Sequence, residues 1–463
     1  MKETAYKKIY DDLKSRIGSG GLPSGSRMET EPVLASGYQV SVGTVRKALD
    51  LLVEEGIVSR QQGRGTYVNK GLSVEPAGGR PGLAMAPKAE MTIAYGMSFH
   101  GQNVIGQLLF EGADNLAEAT LPPDPGGWAG AFLANGHDLA QVSAAQLQLD
   151  EVEGLFEPFP ERLKARAQAV FEEKVLDEHS NVMGDVLALP LCANMSMLYA
   201  NEKLLGAGGT PPESLSLEDF TGFCAALKKR CEFPLLFCPA PGLLYEPFLE
   251  ACGGGYFDKA GEFALELEPF ARMIEFLRKL HVDKLAVNAD KIGMSYPRFV
   301  RREKVRMVLH NPLFNHLAGD EAGDWRALPW LHDRRPGGTF TTVGIGVGRF
   351  SKNKRQAWSL MERLLETGLE RLAANPMQFP ARKDLQANWK GARVKGADAF
   401  PANLRDAPPL PSRRGFWRWF GDVYFLFEQA AEGKLGTREA WRRAGEAISR
   451  HMNVGRTWEQ EAI

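Results

Sequence analysis

Two short clusters near the amino terminus carry hydroxyls and cations at a spacing suited to a polyanion. Ser41, Thr44, Arg46 and Lys47 form one; Gln62, Arg64, Gly65 and Thr66 form the other. Hydroxyls and cations in such sets bond phosphate oxygens, and Arg or Lys also reaches guanine edges. Glycine next to Arg64 permits a close backbone approach to a minor groove, where an arginine senses narrow width. Taken singly, each residue reads first as solvated surface, and Arg46 and Lys47 as ordinary exposed charges. The ordered combination is what points to nucleic acid.

The elements that must position these residues follow from local pattern. Tyr6, Ile9, Tyr10, Leu13 and Ile17 recur at helical spacing, which predicts a helix over 4–18 ended by Gly18. Thr30 is a helix cap with Pro32 tolerated in the first turn, opening a short helix to about Ala35. Ser41 caps a third helix with Val45, Ala48, Leu49 and Leu52 on one face. Ile57–Arg60 and Thr66–Val68 read as strands joined through QQGRG. Three helices and a two-stranded wing make a winged helix-turn-helix pattern, in which the third helix enters the major groove.

Residues 4–69, with VRKAL, EEGIV and QGRGTYV, resemble the DNA-binding domain of GntR-type bacterial transcription regulators. The resemblance implies a double-stranded, palindromic DNA operator bound by a homodimer. Arg27 and Thr30 then join Thr44, Arg46 and Arg64 as phosphate contacts supplying salt-dependent affinity. Two departures bear on specificity. Pro32 stands where relatives usually carry arginine, and Val42-Gly43 follow Ser41 where they often carry another. Base reading is thereby thrown onto Lys47, the wing or DNA shape.

Charge supports the division. The chain holds 56 Lys+Arg and 57 Asp+Glu over 463 residues, but residues 1–70 hold 11 basic and 8 acidic, a net of +3 that leaves −4 for the rest. The stretch 71–90, rich in Gly, Pro and Ala, reads as a linker. No apolar run reaches the ~20 residues of a membrane span, and the first residues lack a secretory apolar core, so a cytoplasmic protein is expected. Five cysteines without paired spacing (Cys192, Cys224, Cys231, Cys238, Cys252) argue for reduced, mostly buried thiols and against a zinc site. No cofactor or metal is expected.

Residues 91–463 alternate apolar runs with helical patterns, the mark of α/β architecture. MTIAYGM (91–97), HDLAQVS (137–143) and FPLLFC read as strands; 104–119 and SLEDFTGFCAALKKR read as helices. In order and spacing, DVLALPLCANMSMLYANEKLL, GGGYFDKAGEF, TTVGIGVGRF and MQFPARKDL resemble family 1 extracellular solute-binding proteins of the maltose-binding type. The whole is thus multi-domain: an N-terminal α+β winged helix-turn-helix, then a two-lobed α/β periplasmic-binding-protein-like fold. The resemblance implies one lobe at 91–190 with 343–368 and another at 191–342 with 369–463. Crossings are expected near Leu189-Pro190-Leu191 and Thr342-Val343-Gly344. One departure is a short segment, LPPDPGGWAGAFLANG, where relatives place a second strand.

A ligand between such lobes is implied to be a small-molecule effector, a mono- or oligosaccharide, held by aromatic faces and by polar groups bonding its hydroxyls. Candidate contacts are Ser98, His100, Gln102, Asn103, Ser143, Gln146, Asn194, Tyr245, Asn311, Trp330, Trp417 and Trp419. The aromatics from 416 to 427 recur at helical spacing, so most must be core, and one of Trp417 and Trp419 is expected at the ligand. For His100 a structural or surface role is the more expected reading. No catalytic residue is nominated, because no carboxylate pair can be assigned to facing cleft positions. The expected function is a regulator whose sugar-induced cleft closure changes operator affinity. The competing reading is a body that has lost its ligand and serves as a dimerisation module.

Overall fold

In the computed structural model, the described residues are 5–18, 28–38, 40–54, 58–61, 65–68, 91–95, 116–120, 125–149, 152, 154–206, 215–237, 245–258, 262–288, 305–310, 312, 314, 318–375, 378–387, 389, 391–410 and 416–452. The chain separates into two compact units, Met1–Ala84 and Met85–Ile463. The division falls within the expected linker, which lies outside the described residues.

The first unit holds α1 (Ala5–Gly18), α2 (Glu31–Gly37), α3 (Val42–Glu54) and the antiparallel pair β1 (Val58–Gln61) and β2 (Gly65–Val68). Ser41 caps α3 as its sequence position predicts: its Oγ accepts from the Thr44 amide at 3.2 Å. Ile9 and Leu13 of α1, Leu34 of α2 and Val45, Ala48, Leu49 and Leu52 of α3 close one small core with Met28 and Val58. The Met28 amide donates to the Thr66 carbonyl at 2.8 Å, tying the wing to the segment that enters α2.

The second unit is built on two sheets. The first has six strands in the order β13 (Phe379–Pro380), β6 (Ala188–Met195), β12 (Phe340–Val347), β5 (Leu139–Ser143), β3 (Met91–Tyr95) and β4 (Leu116–Thr120). The second has five, in the order β11 (Trp325–Leu328), β7 (Met197–Asn201), β10 (Val305–His310), β8 (Phe233–Phe237) and β9 (Ala286–Asn288). One apolar cluster runs under both sheets, with Ile93, Leu139 and Ile345 from the first and Tyr199, Val308 and Trp325 from the second. Separate clusters fill the outer face of each. Among the described residues no helix is long and apolar enough to cross a membrane. Cys192, Cys224 and Cys252 are buried, Cys231 is half-buried, and all four are unbridged; Cys238 lies outside the described residues.

Three expectations change. Residues 116–119 were expected in a helix, yet LAEAT forms β4, parallel to β3 with Ile93 opposite Glu118. Its Ala, Leu and Glu favour a helix locally, but pairing at a sheet edge overrides that preference. LAEAT therefore supplies the second strand expected to be minimal, while PGGWAGAFLAN (125–135) is a helix. The remainder of the expected helix, 104–115, lies outside the described residues.

Second, the chain crosses between sheets at Ser196, the single residue between β6 and β7, and returns before Phe340. Both crossings differ from the expected ones because β6 and β12 pair continuously, from Phe340 opposite Met195 to Gly346 opposite Ala188. That ladder carries both strands through the expected crossing points. The sequence did mark an irregularity there: the register shifts at Val343/Gly344, opposite Pro190, which has no N–H to donate. Third, Phe379–Pro380, expected in the second lobe, pairs with β6 of the first sheet.

Candidate functional site

On α3 the two hydroxyls lie together: Ser41 Oγ is 2.8 Å from Thr44 Oγ1, at the exposed amino-terminal end of the helix. The neighbouring cations are engaged within the unit. Arg46 donates from Nε (2.9 Å) and Nη2 (2.8 Å) to Glu31 Oε2, and this hydrogen bond holds its guanidinium above its ordinary pKa. Lys47 Nζ stands 4.5 Å from the centroid of the Tyr6 ring. Thr30 is exposed just before α2, and Gly65 and Thr66 begin β2. Arg27, Gln62 and Arg64 lie outside the described residues. At Gly43 an added Cβ would meet only Ser41 Oγ, at 3.7 Å, so the glycine leaves room on this face and no packing demands it.

In the body, the carboxyl ends of β5 and β6 and the start of β12 come to the crossing side of the first sheet. From the second sheet the end of β10 meets them there, since His310 pairs with Met197, the first residue of β7. Open α/β sheets take ligands in crevices outside their strands' carboxyl ends. Asn194 sits opposite Thr341 across the ladder, and Ser143 opposite Val343, so Asn194, Thr341 and Ser143 share one face. Asn194 is half-buried. The hydroxyls of Thr339 and Thr341 and the Gln141 carbonyl oxygen are buried without a hydrogen-bond partner among the described residues. A buried polar group left unpaired costs roughly 1–3 kcal/mol. Such groups at a strand-end crevice suit a ligand rich in hydroxyls, which both donates and accepts.

Sequence reasoning missed Thr339, Thr341, Gln141 and His310. The Thr-Thr pair opening TTVGIGV was the available signal.

Ser143 and Gln146 are close to the crevice but bond each other. The Gln146 amide donates to Ser143 Oγ at 3.2 Å and the Ser143 amide donates to Gln146 Oε1 at 3.0 Å, a capping box on helix Ala144–Leu147.

Three of the expected aromatic contacts are interior instead. Tyr245 packs on Tyr424 (5.0 Å) and Phe427 (5.7 Å), and burial pushes its phenol well up. Trp330 lies against Phe248 at 5.7 Å, with Gly337 so close that a Cβ there would fall 2.3 Å from the indole. Trp419 is fully buried on Tyr256 at 5.0 Å. The stripe on helix Phe416–Ala431 is thus core, and its Trp419 has no face left for a ligand. Trp417 lies on the same helix. Ser98, His100, Gln102, Asn103 and Asn311 lie outside the described residues.

Residues 5–68 match the family described as bacterial regulatory proteins, gntR family. Over 65 residues the chain is 42% identical to the mannosyl-D-glycerate transport/metabolism system repressor MngR of Escherichia coli, covering 14% of this chain and 27% of that protein. The chain thus aligns with only about a quarter of that relative's length. The body superimposes on the GacH receptor of Streptomyces glaucescens with a TM-score of 0.66 and 15% identity, over 78% of this chain and 98% of that one. It likewise superimposes on the sugar-binding protein MalE of Xanthomonas citri, with a TM-score of 0.65 and 16% identity over 81% and 100% of the two chains. At these identities the likeness is one of fold.

Proposed function

From a GntR-family domain at residues 5–68, joined to a body with the fold of maltose-type solute-binding proteins, we propose a DNA-binding transcription regulator that senses a carbohydrate. A sugar enters the crevice between the sheets, changes their relation, and alters operator affinity of the paired N-terminal units of a homodimer. The regulator acts in the cytoplasm, where its DNA lies, and performs no catalysis. The observation that carries this reading is the completeness of the body: it spans 98–100% of two sugar-receptor chains, crevice elements included. The repressor named for mannosyl-D-glycerate, the receptor studied with acarbose and the sugar-binding MalE all concern carbohydrates.

The sugar contacts in this reading are Asn194, Thr341, Gln141 and His310, with Ser98, His100, Gln102, Asn103, Asn311 and Trp417 retained from the sequence. The DNA contacts are Ser41, Thr44, Arg46, Lys47 and the wing. A ligand shifts the equilibrium only through its different affinity for the two arrangements. Calorimetric titration of the full chain with maltose, maltotriose, acarbose and a panel of monosaccharides tests the sensor half. Heat that saturates for one sugar supports it; no heat from any of them removes it.

A second reading has an observation in its favour. Tyr245, Trp330 and Trp419 are buried in the core, so the aromatic wall expected to face a sugar is thin. A body that only dimerises the N-terminal units would look the same at those positions.

A further inference from the structure

We propose that Lys174 is a latch holding the two sheets of the body in their present relation. Its helix, Glu173–Asp177, packs against β6 of the first sheet. The following residues are fastened behind β12: Thr342 Oγ1 donates to Glu178 Oε2 at 3.4 Å, and a Cβ on Gly344 would fall 2.6 Å from the His179 ring. Lys174 therefore moves with the first sheet.

Its ammonium is spent on a different element. Nζ donates to the carbonyls of Leu404 (2.6 Å), Arg405 (2.9 Å) and Ala407 (2.9 Å). These close the carboxyl end of helix Ala399–Asp406, whose last carbonyls have no partner within the helix and whose dipole favours a cation there. All three ammonium donors are used. Nζ also lies 5.0 Å from the centroid of the Phe340 ring, at the first residue of β12 after the return crossing.

Helix Ala399–Asp406 bridges the sheets: it packs on β6 of the first, where Phe400 stacks on Phe379 at 5.5 Å, and on β11 of the second. Asn403 Oδ1 accepts from the Trp330 amide at 3.0 Å, and its Nδ2 donates to the Leu328 carbonyl at 3.3 Å and approaches Met197 Sδ at 3.1 Å. Met197 and Leu328 belong to β7 and β11. The segment after the helix flanks the hinge strand: the Phe340 amide donates to Pro408 at 3.1 Å and the Leu410 amide to Phe340 at 2.8 Å. Rotation of one sheet against the other about Ser196 strains this bridge, and the three bonds from Lys174 are among its ties to the first sheet. Burial lowers the lysine's pKa, a cost of holding the charge in a half-buried place that the three carbonyls offset.

The proposal depends on the crossings acting as hinges and not on which ligand binds, so its test uses no sugar. Nitroxides on noncanonical residues at Glu161 and Glu275, both exposed and on helices of opposite sheets, report the distance between sheets in the full chain by pulsed electron resonance. We expect one narrow distribution for the native protein and for Glu173→Gln. For Lys174→Met a second distance should rise about tenfold in population, as loss of a charged hydrogen-bond donor implies; Lys174→Gln should fall between. A folded Lys174→Met protein, by near-ultraviolet circular dichroism, with the native distribution overturns the latch. Should Lys174→Met not fold, Lys174→Gln decides by the same criterion. In the native protein the Phe340, Ala407 and Leu410 amides must also exchange slowly; exchange as fast as an exposed loop overturns it too.

Discussion

Arg46 on α3 is joined to Glu31 at the start of α2, with two guanidinium nitrogens 2.8–2.9 Å from one carboxylate oxygen. The pair aims Arg46 and also neutralises it. A DNA phosphate must compete with Glu31 for that charge. We expect Glu31→Gln to tighten binding to a generic duplex and to steepen the salt dependence by about one unit of slope, and Arg46→Ala to make it shallower by about one. Fluorescence anisotropy across a salt series measures both. Equal slopes in all three proteins would show that Arg46 never reaches a phosphate.

Thr341 offers a test that separates a sugar site from an inert one. Its buried hydroxyl has no partner among the described residues, and valine has nearly its shape. Thr341→Val should leave thermal stability unchanged or raise it by about 1 kcal/mol, since a desolvated unpaired group is removed. If the hydroxyl serves a sugar, the same change weakens sugar binding by roughly tenfold, the worth of one hydrogen bond. Calorimetry and a melting curve on the same sample give both numbers. Unaltered sugar affinity would move the site elsewhere.

His179 sets an acid limit on the body. It is fully buried, neither ring nitrogen has a partner among the described residues, and burial pushes its pKa down to about 3. The folded protein therefore refuses a proton that the unfolded chain accepts. The stability tied to neutral His179 is complete above the unfolded value of about 6.5 and declines as pH falls toward 3, by up to about 1.4 kcal/mol per pH unit. His137, also lowered by burial, acts in the same direction. Urea midpoints between pH 4 and 7 should fall less steeply for His179→Leu. An unchanged acid limb means that a proton enters elsewhere first.

Glu246 acts on the opposite flank. Its carboxyl is buried, one oxygen accepts from the Tyr256 hydroxyl at 2.9 Å, and burial raises its pKa to about 7. Its protonated form fits the core, so that stability is complete below the ordinary carboxylate value and is lost as pH rises toward 7. Glu246→Gln should then stabilise the body by about 1–3 kcal/mol at pH 8 and by little at pH 4. Equal effects at both values would mean that Glu246 does not titrate in this range.

Legibility in the sequence depended on how local the determining physics was. Ser41 caps its helix where the sequence placed it, because a cap is settled within four residues. The described helices and strands of the first unit were readable for the same reason. LAEAT was misread because only a partner strand distant in sequence makes it a strand. The crossings were misplaced by several residues because a ladder between β6 and β12, some 150 residues apart, decides how far each strand runs. In the crevice, Asn194 was nominated from its place beside the expected crossing. Thr341 and His310 were not, since their neighbours come from other strands. The tryptophans were overrated: a large aromatic on a helical stripe serves a core as well as a sugar, and Trp419 serves the core.

The central claim is that a carbohydrate bound by the body changes how the first unit holds DNA. The direct measurement is affinity of the full chain for a duplex selected from a random pool, with and without each saturating sugar of the titration panel. We expect at least one sugar to raise the melting temperature and change DNA affinity by about 5- to 150-fold, the usual range of coupling between two sites. DNA binding that persists unchanged with every sugar, with no shift in melting, would contradict the account and leave the body as a dimerisation module.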